Sequence, residues 1–177
     1  MRSTRYAKGA LVAATCALVL APAGAAYAGS GPATGPSSKT LTRTTAPSPE
    51  GNPASKVAKA AGVCDDAVAI GTTGLIKRNG TTIASVKQFY SKKCKTNYGY
   101  VWVWESFRKT AKPYDVTTGV YDYTGDKTVG KTAWKATTKQ EFWSEQANTV
   151  DHCTSGVGTL RPAGAPQALQ AFSQKRC

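Results

Sequence analysis

His152 is the single imidazole of the chain, and it lies between Asp151 and Cys153. A histidine beside a thiol or a carboxylate is what acid–base or nucleophilic catalysis requires. On a strand, however, successive side chains project to opposite faces, so Asp151 and Cys153 share a side that His152 does not. No Gly-x-Ser-x-Gly elbow offers a serine nucleophile. A hydrolase built on His152 or Asp122 would therefore need partners from elsewhere in the chain and a preformed cleft around one of these residues.

Carboxylates are sparse, ten in all. Glycoside hydrolysis needs two of them facing across a cleft. Asp122 shares a strand face with Val120 and Thr124, and Glu141 shares one with Glu145, but a common face is not a facing pair. The stretch from Asp122 to Asp126 lacks the run of oxygen ligands that calcium takes. There is no Cys-x-x-Cys pair for zinc. Gly156-Val157-Gly158 is followed by Arg161 where a dinucleotide fingerprint has its third glycine. No metal, no cofactor and no catalytic residue is expected, and the balance leans away from an enzyme.

Cations and aromatic rings carry more information. The net charge of +13 falls to +10 once Arg2, Arg5 and Lys8 are removed with a leader segment. Lys92, Lys93 and Lys95 surround Cys94, while Lys127, Lys131, Lys135 and Lys139 recur every fourth residue. That spacing puts the last four on one face of a strand, interleaved with Val129 and Ala133: a basic stripe, or a solvated edge in which lysine discourages edge pairing. Tyr98, Tyr100, Trp102 and Trp104 alternate along a second strand. Trp102 and Trp104 are expected in the core, whereas Tyr98 and Tyr100, if exposed, offer rings for stacking. The candidate binding residues are Tyr98, Tyr100, Lys92, Lys93, Lys95, Lys127 and Lys131.

The elements that position these residues follow a leader and a linker. Arg2, Arg5 and Lys8, then an apolar run from Ala10 to Ala21, then Ala26-Tyr27-Ala28 have the order of a cleavable export signal over residues 1–28. Cleavage after Ala28 leaves a secreted chain without Cys16. The apolar run is too short to span a bilayer, which takes roughly 20 residues, and no later segment is long enough. Residues 29–57, rich in Pro, Ser, Thr and Gly, read as a linker with too little apolar surface to order itself. Residues 58–177 read as one domain.

Four cysteines remain, and an even count in an exported chain points to disulfides. Of the three pairings, the sequential one, Cys64–Cys94 with Cys153–Cys177, closes hairpin-sized loops, each worth about 3.5 kcal/mol on a chain-entropy account.

Asn79-Gly80 between Gly74–Arg78 and Thr81–Ser91 predicts a hairpin on a type I′ turn. Further strands are expected over 98–107, 115–124, 127–138, 140–144 and 156–160. Residues 165–174 fit either a helix or a last strand. The expected fold is all-β, a small disulfide-braced antiparallel sandwich or barrel with at most one short terminal helix.

Cys64-Asp65-Asp66-Ala67, then Phe89-Tyr90-Ser91-x-x-Cys94, then Lys95-Thr96-Asn97-Tyr98-Gly99-Tyr100-Val101-Trp102 resemble a family of small secreted actinobacterial proteins of unknown function, the YjfA-like proteins. The resemblance covers residues 62–107 and departs at Tyr98, where tryptophan is commoner. It implies export and the Cys64–Cys94 pairing, and it carries no activity with it. The expected function is a monomeric, non-enzymatic binding module for the cell envelope, an anionic wall polymer or a glycan. A secreted inhibitor or toxin-like module with a protein target is the alternative, followed by a hydrolase. Specific recognition of nucleic acid is not expected, because no recognised motif is present.

Overall fold

A computed structural model describes residues 49–177. The export signal and most of the linker lie outside the described residues. A short helix α1 (Lys56–Ala60) is followed by β1 (Val68–Arg78), β2 (Thr81–Ser91), β3 (Thr96–Val103), a single-turn helix α2 (Glu105–Arg108), β4 (Tyr114–Asp122), β5 (Lys127–Thr137), β6 (Glu141–Trp143), β7 (Thr154–Arg161) and β8 (Leu169–Phe172). They form two antiparallel four-stranded sheets, ordered β1-β2-β3-β6 and β5-β4-β7-β8. Residues 165–174 thus contain a strand, and the terminal helix is the N-terminal one.

The hairpin forms where the sequence places its turn. Asn79 and Gly80 both adopt positive φ, 49° and 79°, which matches the twist of the flanking strands. The aromatic strand ends earlier than its alternation suggests. Val103 is its last residue, and Trp104 becomes the N-cap of α2, so Glu105 and Phe107 are helical.

Between the sheets lies an aliphatic core in which Ile76, Val86, Val101, Val116, Phe142 and Leu160 are buried. The sheets approach so closely at Gly99 that a Cβ there would sit 2.0 Å from the carbonyl oxygen of Gly119. A second apolar cluster covers the opposite side of the first sheet, joining Phe89, Tyr98, Tyr100 and Trp143 to Ala58, Val63 and Ala67 from the N-terminal segment. Tyr100 meets Trp143 at a centroid distance of 4.6 Å and Phe89 edge-on at 5.5 Å, separations at which aromatic pairs attract.

The segment that covers this side begins inside the expected linker. Glu50 pairs with Lys87 at 3.0 Å, the Gly51 amide donates to the Tyr100 hydroxyl at 2.7 Å, and the Ser55 hydroxyl donates to Glu141 at 2.8 Å. Ser55 also caps α1 by accepting from the Ala58 amide. Small residues and backbone, not large apolar side chains, make these contacts. Composition alone therefore reads the segment as slack.

Cys64 is bonded to Cys94 and Cys153 to Cys177. The first disulfide ties the N-terminal segment to the β2–β3 turn; the second ties the chain beyond β8 to the start of β7. Among the described residues, no helix is long and apolar enough to cross a membrane.

Candidate functional site

The two tyrosines expected to stack on a ligand are buried. Tyr98 and Tyr100 are both 0% exposed, because the N-terminal segment lies across them. Tyr98 also donates to the Gly62 carbonyl and accepts from the Cys64 amide at 3.2 Å. Burial pushes both phenols above their ordinary range, against the hydrogen bonds from the Cys64 and Gly51 amides. The tryptophans depart from expectation the other way. Trp102 is half-buried and Trp104 exposed, its indole N–H donating to the Ser85 hydroxyl at 2.8 Å. The ligand-facing role drawn for Tyr98 and Tyr100 is therefore corrected: these rings are core.

The lysines separate into two places. Lys92, Lys93 and Lys95 are exposed in the β2–β3 turn, where Lys93 pairs with Asp65 at 3.3 Å. Asp66 organises that turn, accepting from the Ser91 hydroxyl and the Lys93 amide, and these bonds hold its carboxyl below the usual range. Lys127 and Lys131 are on β5, the edge strand of the second sheet.

The four-residue repeat does not become one stripe. A register shift between Thr118 and Val120 on β4 accommodates an extra residue on β5, where Gly130 takes a φ of 62°. Such a bulge reverses the facing of everything beyond it. Lys127 opposes Asp122 in the inward register, Lys131 and Lys135 alternate with the outward Ala133, and Lys139 lies beyond the strand.

Lys131 and Lys135 border the outer face of the second sheet, which the segment before β8 meets at Pro166 and Ala168. On β4, Val116, Val120 and Asp122 point inward and are buried, so Asp115, Thr117 and Tyr121 point out. The registers set Ala133, Thr117, Thr159 and Gln170 side by side across the four strands, and Thr128 next to Tyr121. A dip of about 130 Å3 lies among Thr117, Thr128, Lys131 and Thr159. Beside it stands a group of rings: Tyr121 meets Phe172 at 5.6 Å and Tyr123 at 4.9 Å, both edge-on. Tyr123 and Phe172 are each 40% exposed, and Lys175 Nζ lies 4.5 Å from the centroid of the Tyr123 ring, within cation–π reach. None of Lys127, Lys131, Lys135 and Lys175 has a carboxylate partner among the described residues, whereas Arg161 is paired with Asp115 at 2.5 Å.

Sequence reasoning did not select Thr117, Thr159, Tyr121, Tyr123, Phe172 or Lys175. The usable signal was the alternation on β4 between Val116, Thr118, Val120 and the outward Asp115, Thr117, Tyr121.

Two residues weighed for catalysis do meet. His152 Nδ1 lies 2.9 Å from Asp122 Oδ2. The Asp122 side chain is 2% exposed, and that of His152 is 40% exposed. Burial alone would raise the Asp122 carboxyl; hydrogen bonds from His152 and the amides of Gly125 and Thr124 outweigh it and hold the group below its ordinary value. No serine or cysteine nucleophile bonds to the imidazole: Cys153 is in its disulfide, and the Ser155 hydroxyl lies 3.2 Å from that of Tyr123. Among the described residues, no group of three or more His, Cys, Asp or Glu side chains could hold a metal ion.

Fold and site define a disulfide-braced antiparallel sandwich with one outer sheet face partly covered by the N-terminal segment and the other more open. Compared with family models, with curated proteins and with solved structures, the chain matches none.

Proposed function

We propose that this chain is an exported, non-enzymatic binding module, and that the open face of the β5-β4-β7-β8 sheet takes an anionic glycan-containing polymer of the cell envelope. The observation that carries this reading is the asymmetry of the two outer faces. Around Phe89, Tyr98 and Tyr100 the first sheet's is covered by the N-terminal segment; the second's presents lysines without carboxylate partners beside exposed rings. Unneutralised cations on a flat face attract a polyanion at long range. Exposed rings next to hydroxyl-bearing threonines suit the apolar faces and hydroxyl edges of sugars. The disulfides fit an oxidising compartment, and residues 1–28 supply the export signal in this reading.

The test is retention on isolated cell walls and on a soluble anionic polysaccharide. Binding is expected to weaken steadily with added salt, because exposed charges are screened within about 10 Å at 0.1 M. K131Q/K135Q is expected to remove most of the salt-sensitive part, and Y123A/F172A to weaken binding with the salt slope unchanged. Absence of retention even at low ionic strength, or retention indifferent to all four substitutions, would overturn the reading.

A further inference from the structure

Each cysteine of the second disulfide is preceded by a residue with chemistry of its own: His152 before Cys153, Arg176 before Cys177. Both line one pocket of about 320 Å3, together with Tyr90, Asn97 and Thr154. The pocket is separate from the open sheet face and draws its walls from β1, β2, β3 and β7 as well as the chain beyond β8.

Its polar groups are fixed from behind. Asp122 orients the imidazole through Nδ1, which leaves Nε2 as the other ring nitrogen. Thr154 and Arg176 exchange two backbone hydrogen bonds, of 2.6 and 2.8 Å, and the disulfide joins the residues on either side of that bridge. The Arg176 stem runs past Gly71, where a Cβ would lie 3.2 Å from Arg176 Cδ.

The hydrogen-bond inventory then decides what the pocket lacks. Asn97 is held at both ends of its amide: its Oδ1 accepts from Gln88 Nε2 at 3.1 Å and its Nδ2 donates to Thr149 at 3.1 Å. Thr154 is 2% exposed, and its Oγ1 accepts from Gln88 Nε2 at 2.7 Å. With the Gln88 amide in this orientation the Thr154 hydroxyl proton has no acceptor among the described residues, while Gln88 Oε1 is itself buried without a partner. The Tyr90 hydroxyl and the Arg176 guanidinium likewise have no side-chain partner among the described residues, and no Asp or Glu carboxylate there pairs with Arg176. The uncommitted groups are two hydroxyls, the Gln88 Oε1 acceptor and a guanidinium. Arg176 is exposed, and a guanidinium fork matches an oxyanion.

We propose that this pocket binds a single phosphate group between Arg176, Thr154 and His152. The guanidinium and the Thr154 hydroxyl donate to phosphate oxygens. His152 Nε2 donates as well when the ring carries two protons, and accepts from the P–O–H of a hydrogen phosphate when it carries one. A phosphate can arrive as the free ion or as a monoester on a sugar; the chemistry of the pocket is the same for both.

The experiment is an amide and imidazole NMR titration of the intact disulfide-bonded chain with inorganic phosphate, and separately with glucose 6-phosphate, at constant ionic strength. Saturable shifts at His152, Thr154 and Arg176 are expected. R176Q should weaken binding at least about tenfold, equivalent to about 1.4 kcal/mol. T154V, which removes the Thr154 hydroxyl and with it the bond from Gln88 Nε2, should weaken it, with the shifts of the rest of the chain checking the fold, and K131Q/K135Q should leave it unchanged. The tighter of the two ligands identifies the source, and either order supports the site. Shifts that grow linearly without saturating, or saturation that both R176Q and T154V leave intact, overturn it. Because K131Q/K135Q reports on the open face alone, failure of this site and failure of the polymer reading are distinguishable.

Discussion

Tyr100 shows how one hydroxyl separates a core residue from a ligand-facing one. Its ring fills the space between Phe89 and Trp143, and its oxygen accepts the Gly51 amide, 49 positions earlier in the chain. Replacing it by phenylalanine keeps the packing and strands that amide, so Y100F is expected to cost about 1–3 kcal/mol in denaturant unfolding. Removing the ring as well, in Y100A, should cost about 3–5 kcal/mol. Loss of polymer binding without loss of stability in Y100F would contradict its placement in the core. Asp122 contributes to the acid sensitivity, alongside Asp66 and Asp115, whose carboxyls are also held low. The Asp122 carboxyl is held below the ordinary value of 3.8, so its ionised form stabilises the fold above that pH, and the contribution is lost as pH falls through the lowered value. In D122N, thermal unfolding between neutral pH and pH 2 should therefore show a shallower decline on the acid side than in the parent chain. An identical decline in both would remove Asp122 from that role.

At the scale of elements, the two sheets depend on backbone approaching backbone. With 2.0 Å available for a Cβ at Gly99, the neighbour in the way is the main chain of Gly119, which cannot rotate aside. G99A is expected to destabilise by about 3 kcal/mol, the upper part of the range for overpacked interiors, measured by urea unfolding with an unchanged m-value. The β1–β2 hairpin was legible because Asn79-Gly80 states its turn chemistry outright. β4 was legible because it is rich in Val, Thr and Tyr, the residues that suit a pleated, half-buried strand. The facing of the β5 lysines was not, since one glycine among ordinary strand residues does not announce a bulge. The burial of Tyr98 and Tyr100 was not legible either: what covers them is mostly alanine, valine and main chain, whose composition resembles the linker before it. For the open face the difficulty is reversed, because threonines and lysines on a solvated strand look the same whether or not they meet a ligand. The pairing of His152 with Asp122 joins residues 30 apart on a turn and a strand end, where no local pattern links them.

For the whole molecule the two disulfides are unequal in consequence. Loss of either bridge should cost about 2–5 kcal/mol. C153S/C177S is expected in addition to free the chain beyond β8 and abolish phosphate-induced shifts at His152, while C64S/C94S lowers the unfolding temperature and leaves those shifts in place. Calorimetry and the same titration on both variants check this; equal loss of shifts in the two would show that general loosening, not the local clasp, is responsible.

The segment that covers part of the first sheet also constrains when the protein can exist in finished form. Its amide at Gly51 waits for Tyr100, and its hydroxyl at Ser55 waits for Glu141, 86 positions later. Contacts of such long separation form late. Whichever pore the chain leaves, a stretch that emerges early is among the last to complete its contacts. Until β6 is out, Tyr100 lacks Trp143 and Ser55 lacks Glu141, and the half-made molecule leaves open part of the aromatic row that the finished one hides.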